Sequence, residues 1–203
     1  MSEPLRRRAG RLLAESGETY AREAGIRLAD KPSPLYQLLV LSTLFSTRIS
    51  ASIAVRAARE VFRAGWRTPR KMADASWDDI VAALGRAHYR RYDESTATAL
   101  GAGADLLLDR WHGDLRRLRG EAGGDPGRIR QLLQDFPRIG PVGADIFCRE
   151  AQGVWEELRP AFDQRALDGA QKNHLPPVPG RLAALVEPDE LPRLAAALVR
   201  STL

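Results

Sequence analysis

The 203 residues contain one cysteine, Cys148, and only three lysines, Lys31, Lys71 and Lys172. A single thiol excludes an internal disulfide, and with it any zinc or iron–sulfur site built on several thiolates. The three histidines, His88, His112 and His174, are scattered without metal-ligand spacing, so no metal site is expected. No apolar run approaches the roughly 20 residues that span a bilayer. The opening MSEPLRRRAGRLL is charged but lacks the apolar stretch of a secretory signal. The expectation is a cytoplasmic protein with no membrane partner.

What is present is arginine, alanine and leucine. A hydrophobic fraction of 44% and a charged fraction of 28% are ordinary for a globular chain. A formal charge of +5 and a pI near 9.9 suit an anionic partner, nucleic acid first. The excess of arginine over lysine is also what a GC-rich genome produces, so charge alone decides little.

Helical periodicity runs nearly from end to end, with no strand-like alternation and no long repeat. A helix is expected over 4–16, then a break at DKPSP (30–34), with Ser33 as N-cap and Pro34 in the first helical position. LYQLLVLSTLFSTRIS is apolar on most sides and reads as a central buried helix. Further helices are expected over 51–64, from a Ser76/Asp79 capping signature to Gly85, and over 94–110, 126–135, 141–151, 164–172, 180–186 and 190–201. Residues 113–125 read as a loop with at most one helical turn, ending at Asp125 as N-cap, and Trp66, Trp77, Trp111 and Trp155 as core. The class is all-α, with roughly ten helices.

FPRIGPVGADIF (136–147) joins two of these helices without a polar linker. Glycine in such a corner serves a positive φ or a close backbone approach. Ile139 would plug the space between the helices, while Gly140 and Gly143 keep the outside bare. Behind Pro141 the first amides of the second helix, near Val142 and Gly143, would face outward, where the helix dipole favours a phosphate. An αα-corner that merely packs is the alternative.

F-P-R-I-G-P-V-G-A-D resembles the helix–hairpin–helix motif, whose repair-enzyme form reads L-P-G-(V/I)-G-x-x-T-A. Pro137, Ile139, Gly140 and Ala144 match, whereas Arg138 stands at the motif's first glycine and Gly143 at its threonine. SPLYQLLVLSTLFSTRIS, GRAHYRRYDESTATALGAGADLLLDRWHGDL and PAFDQRALDGA resemble, in the right order, further segments of the endonuclease III-like base-excision DNA glycosylases. The resemblance covers most of the chain. It implies the two-lobed HhH-GPD fold: a six-helix barrel over 31–143 ending in the hairpin, and a second lobe from 1–30 and 144–203.

The same resemblance puts Asp163 in the catalytic role, stabilising an oxocarbenium-like sugar and orienting water. An ordinary N-cap is its bland and compatible role, and Asp168 is the weaker candidate. Bifunctional members carry a Schiff-base lysine where this chain has Val142, and no lysine lies in the motif. A monofunctional, water-using glycosylase is therefore implied, without the family's four-cysteine iron–sulfur cluster and with lyase activity doubtful. Arg48 stands at the intercalating position, where stacking and simple solvation have equal claims. Arg86, His88, Tyr89 and Arg90 form a basic, aromatic loop suited to phosphate, unless its tyrosines pack inward. Arg138, Gly140, Val142 and Gly143 complete the expected DNA contacts. Family members also hold a monovalent cation on hairpin carbonyls, which leave no sequence signature. The implied partner is double-stranded DNA with a damaged base, bound by a monomer in a bacterial-type nucleoid. A silent DNA-binding or damage-sensing protein with the same fold is the rival, and a protein-interaction domain ranks third.

Overall fold

Local signals account for most of the helix boundaries in the computed structural model, which describes residues 3–203. Thirteen α-helices occur among them: α1 Glu3–Ser16, α2 Tyr20–Glu23, α3 Pro32–Phe45, α4 Ala51–Arg63, α5 Pro69–Ala73, α6 Trp77–Arg86, α7 Asp93–Trp111, α8 Leu115–Glu121, α9 Pro126–Leu133, α10 Pro141–Ala151, α11 Gln164–Lys172, α12 Pro179–Ala183 and α13 Leu191–Arg200. Single 3-10 turns lie at Glu156–Leu158 and Pro188–Glu190. No strand occurs among the described residues, and none of their helices is long and apolar enough to cross a membrane.

Ser76 accepts from the Asp79 N–H at 3.1 Å and Asp125 from the Arg128 N–H at 2.6 Å, each satisfying an orphan donor of the first helical turn. Helix α3 starts earlier than expected: Lys31 is its N-cap and Pro32 its first residue, while Ser33 donates instead to the Arg67 carbonyl at 2.9 Å. The expected loop 113–125 contains α8, capped by Asp114, and α5, capped by Thr68, had no clear periodic signal because it is little more than one turn. Trp111 and Trp155 are core, but Trp77 is 45% exposed at the start of α6, its indole N–H donating to Thr98 Oγ1 at 3.1 Å. All three histidines have left-handed backbones at or just past helix C-termini, with φ of 62° at His88, 53° at His112 and 54° at His174. They end helices, and no cluster of metal-ligating side chains forms among the described residues.

Helix α3 is buried along nearly its whole length and packs against α4, α7, α8 and α10. Helices α5 and α6 pack on α7, and α6 on α4, completing one helical group. In the other, α13 packs against α1 and α11, so the two ends of the chain meet. There the Gly169 Cα lies so near α13 that a Cβ would stand 2.0 Å from the Leu198 carbonyl oxygen. Helix α10 touches both groups, through α3 and α13. The boundary expected at 143/144 therefore falls inside a continuous helix that ties the lobes together.

Candidate active site

The hairpin between α9 and α10 is fixed by two buried side chains, Phe136 stacked on Trp111 with centroids 5.5 Å apart, and Ile139 at 3% exposure. Its positive φ belongs to Arg138, at 66°, where the related motif has glycine; Gly140 has φ −91°. A left-handed backbone costs a non-glycine residue about 1 kcal/mol. Arg138 is held there by Nη1 donating to Ser95 Oγ at 2.6 Å and by its guanidinium 5.6 Å from the Tyr92 ring centroid. Gly140, the N-cap of α10, has nothing within 4 Å of a built Cβ, so the outer side of the corner is bare as expected. Gly143 is different. It is buried and faces inward, where a Cβ would lie 2.3 Å from Ser46 Oγ, so its lack of a side chain lets the end of α3 close against α10. The carbonyls of Pro137, Arg138 and Ile139 accept no hydrogen bond among the described residues.

Asp163 caps α11. Its Oδ1 accepts from the Ala166 N–H at 2.9 Å, and its Oδ2 accepts from Arg149 Nη1. Both side chains are largely enclosed, 10% exposed for Asp163 and 3% for Arg149. The next residue on α10, Glu150, is buried and accepts from the Ala21 N–H at 2.9 Å and the Tyr20 N–H at 3.4 Å, anchoring the first turn of α2. Burial pushes the Glu150 carboxyl up, against the lowering influence of Arg149 and these two amides. Tyr20 meets Phe45 edge-on, with centroids 5.1 Å apart, and Arg200 lies 4.2 Å from its ring centroid. Two consecutive charges on one helix thus fix the two walls of a single cleft.

That cleft is a cavity of about 710 Å³, bounded by the end of α3 with residues 46–49, the first turns of α10, the start of α11 and Tyr20. That volume lies within the range of small-molecule sites, about 300–1,000 Å³. Asp163 and Arg149 line it, Val142 stands 69% exposed at its edge, and no lysine contributes. Arg48 is exposed at the wall and forms no ion pair among the described residues.

The basic loop after α6 is arranged otherwise. Tyr89 is fully buried, its hydroxyl 2.7 Å from Thr47 Oγ1 and 3.1 Å from the Leu44 carbonyl, so it braces the end of α3 from behind and has no surface to offer DNA. Arg86 is paired with Glu60 at 2.9 Å. His88 and Arg90 are exposed but do not line the cavity. The residues that sequence reasoning missed are Arg149 and Tyr20. Arg149 lies two helical turns beyond Val142 on the same face of α10, a spacing that points it at the site. Tyr20 left no local signal. Cys148 is buried, its thiol pushed up to about 12 by desolvation, and is unsuited to nucleophilic work.

No protein-family model and no curated protein sequence matches this chain. Solved structures do. A non-covalent Endonuclease III–DNA complex aligns over 94% of this chain and 79% of its own, with TM-score 0.57 and 12% identity. A trapped Endonuclease III–DNA covalent intermediate, the estranged-adenine complex, aligns over 96% and 84%, with TM-score 0.51 and 15% identity. The chain has the all-α, two-lobed HhH-GPD fold of endonuclease III.

Proposed function

We propose that this protein is a DNA glycosylase of base-excision repair that hydrolyses the N-glycosidic bond of a flipped base, without Schiff-base chemistry. The observation that carries this reading is the enclosed Asp163 carboxylate in a cavity with room for a nucleotide beside the hairpin. The structural neighbours, captured on DNA, support a DNA partner. The extruded nucleotide enters the cavity between the end of α3 and the start of α11. As the C1′–N bond breaks, the base leaves with the electron pair and positive charge develops at C1′. Asp163, fixed by the Ala166 amide and Arg149, stabilises that charge. Water then bonds to C1′ and its proton is released toward the departing base or solvent. Val142 at the position of the family's amine can form no imine, which leaves water as the nucleophile.

At the rim of the cavity, the bare face of Gly140 and the first amides of α10 would receive a backbone phosphate. A monovalent cation on the Pro137, Arg138 and Ile139 carbonyls would supply positive charge at the same corner. Arg48 would fill or flank the gap left in the duplex.

One observation favours a second reading, a silent damage sensor: both oxygens of Asp163 are already engaged, one by a guanidinium. Asp163→Asn separates the two. In a glycosylase the variant keeps duplex affinity and loses base release by about 10²–10³-fold, the scale of losing one charge-stabilising group. A wild-type protein that binds lesion duplexes tightly and releases no base from any of them supports the sensor.

A further inference from the structure

Six arginines lie over aromatic rings among the described residues, and four of them also hold a carboxylate. Arg110 pairs with Glu121 and Asp135, Arg119 with Glu157 and Asp30, Arg149 with Asp163, and Arg200 with Glu23. The two exceptions share one ring. Arg91 lies 5.3 Å from the Tyr92 ring centroid and Arg138 5.6 Å from it, and neither forms an ion pair among the described residues. Asp93 and Glu94, next in the chain, pair with neither; Asp93 accepts from the Glu94 N–H at 2.9 Å. Both arginines are open to solvent, Arg91 exposed and Arg138 half-buried. Arg138 is also fixed in advance. Its Nη1 donates to Ser95 Oγ, whose own proton goes to the Tyr92 carbonyl at 3.2 Å. Its backbone is left-handed where the related motif has glycine, and an arginine kept in such a conformation points to a use for its side chain.

We propose that Arg91 and Arg138, carried on Tyr92, form a second phosphate subsite for bound DNA, on the α7 side of the hairpin and separate from the Gly140 corner. This rests on the reading of DNA as the partner. Two guanidinium groups over one ring repel each other until an anion joins them, and a phosphodiester offers them acceptors only. Arg138 spends one of its five N–H groups on Ser95 and keeps four, enough for a two-pronged bond to phosphate. The Tyr92 ring holds both side chains without neutralising either, so much of the cost of ordering them is met before DNA arrives. Such a contact carries no sequence information. It fixes the register of the hairpin on the strand, and so the position of the cavity against the nucleotide to be extruded.

The test is equilibrium binding of the whole chain to a duplex with one tetrahydrofuran abasic site, over a series of salt concentrations. Arg91→Ala and Arg138→Gly should each weaken binding about tenfold at low salt and reduce the slope of log affinity against log salt by about 1. Arg138→Gly relieves the left-handed backbone, so it should unfold at no lower denaturant concentration than the wild type, which separates its loss of affinity from misfolding. Tyr92→Leu changes no charge and should weaken binding several-fold with a smaller change of slope. Duplexes with one backbone phosphate at a time replaced by a neutral methylphosphonate locate the contact. One position should weaken the wild type, and that same position should matter less in both arginine variants. Inorganic phosphate at constant ionic strength should not displace the duplex. Unchanged affinity and slope in both arginine variants, sensitivity lost at different phosphates in the two, or displacement by inorganic phosphate that both variants abolish would overturn the assignment. A wild type with no salt-dependent duplex affinity would sink the DNA reading itself and this inference with it.

Discussion

Two corners of the molecule carry arginine on a left-handed or adjacent backbone, and they behave differently. The loop after α6 is the more conspicuous in sequence, with three arginines, a histidine and two tyrosines in the seven residues Arg86–Tyr92, yet its groups are largely turned to structural use. His88 ends α6 with φ 62°, Tyr89 is sealed behind the end of α3, and Arg86 pairs with Glu60. The hairpin at 136–143 looks plain, but it borders the cavity and leaves Gly140 bare and Val142 exposed. Arg138 links the two corners, since its guanidinium reaches Ser95 and lies over Tyr92 at the start of α7. Residue type therefore says less about binding than whether each polar group already has a partner inside the fold.

The largest contrast should come from the two hairpin glycines. Gly143→Thr restores the residue of the related motif but drives a side chain into Ser46, displacing the hydroxyl that donates to the Ser42 carbonyl at 2.8 Å. It should cost about 1–3 kcal/mol in denaturant unfolding. Gly140→Ala meets open space at an ordinary φ and should change stability by no more than about 0.5 kcal/mol. It should nevertheless weaken duplex binding, because its methyl stands where a phosphate would approach. Equal stability losses for both would erase the distinction between the inner and outer faces of the corner.

The arginines provide a second contrast. If Arg48 faces a phosphate, Arg48→Ala should reduce the slope of log affinity against log salt by about 1. Arg86→Ala, whose guanidinium is already engaged by Glu60, should leave that slope nearly unchanged. A third effect is smaller. Tyr89→Phe removes the hydroxyl from Thr47 and the Leu44 carbonyl and should cost about 1 kcal/mol of stability. A loss of DNA affinity without a loss of stability would instead return Tyr89 to the binding surface.

Glu150 gives a prediction with a sign in pH. Its carboxyl is raised above its usual 4.5 in the folded chain, chiefly by burial. The folded state thus binds this proton more tightly than the unfolded one, and the group's contribution to stability falls as pH rises from about 4.5 through the raised value. Glu150→Gln keeps an acceptor for one of the two amides it holds, at Tyr20 and Ala21, and should lower stability while flattening that part of the pH profile. An unchanged profile would mean that Glu150 does not titrate in this window.

The helical class, the central α3 and the hairpin were legible because periodicity, Pro–Gly punctuation and N-cap residues are local. Asp163 was legible as an N-cap, and its carboxylate does accept from the Ala166 N–H. The partner of Asp163 was not, because Arg149 acquires its meaning only when α10 and α11 are brought together. Tyr20 was hidden for the same reason: it reaches the cavity by the fold of a four-residue helix onto a buried glutamate 130 positions away. The inward face of Gly143 depends on Ser46 and could not be read from the hairpin alone.

The central claim is hydrolysis of a base in a cavity that offers no amine. The most direct measurement is strand cleavage of duplexes carrying single lesions, each reaction divided and read with and without hot alkali. Breaks that appear only after alkali, and are absent in Asp163→Asn, are the predicted result. Breaks without alkali, together with a protein–DNA adduct trapped by borohydride reduction of an imine, would show an amine acting from elsewhere in the chain and contradict the account.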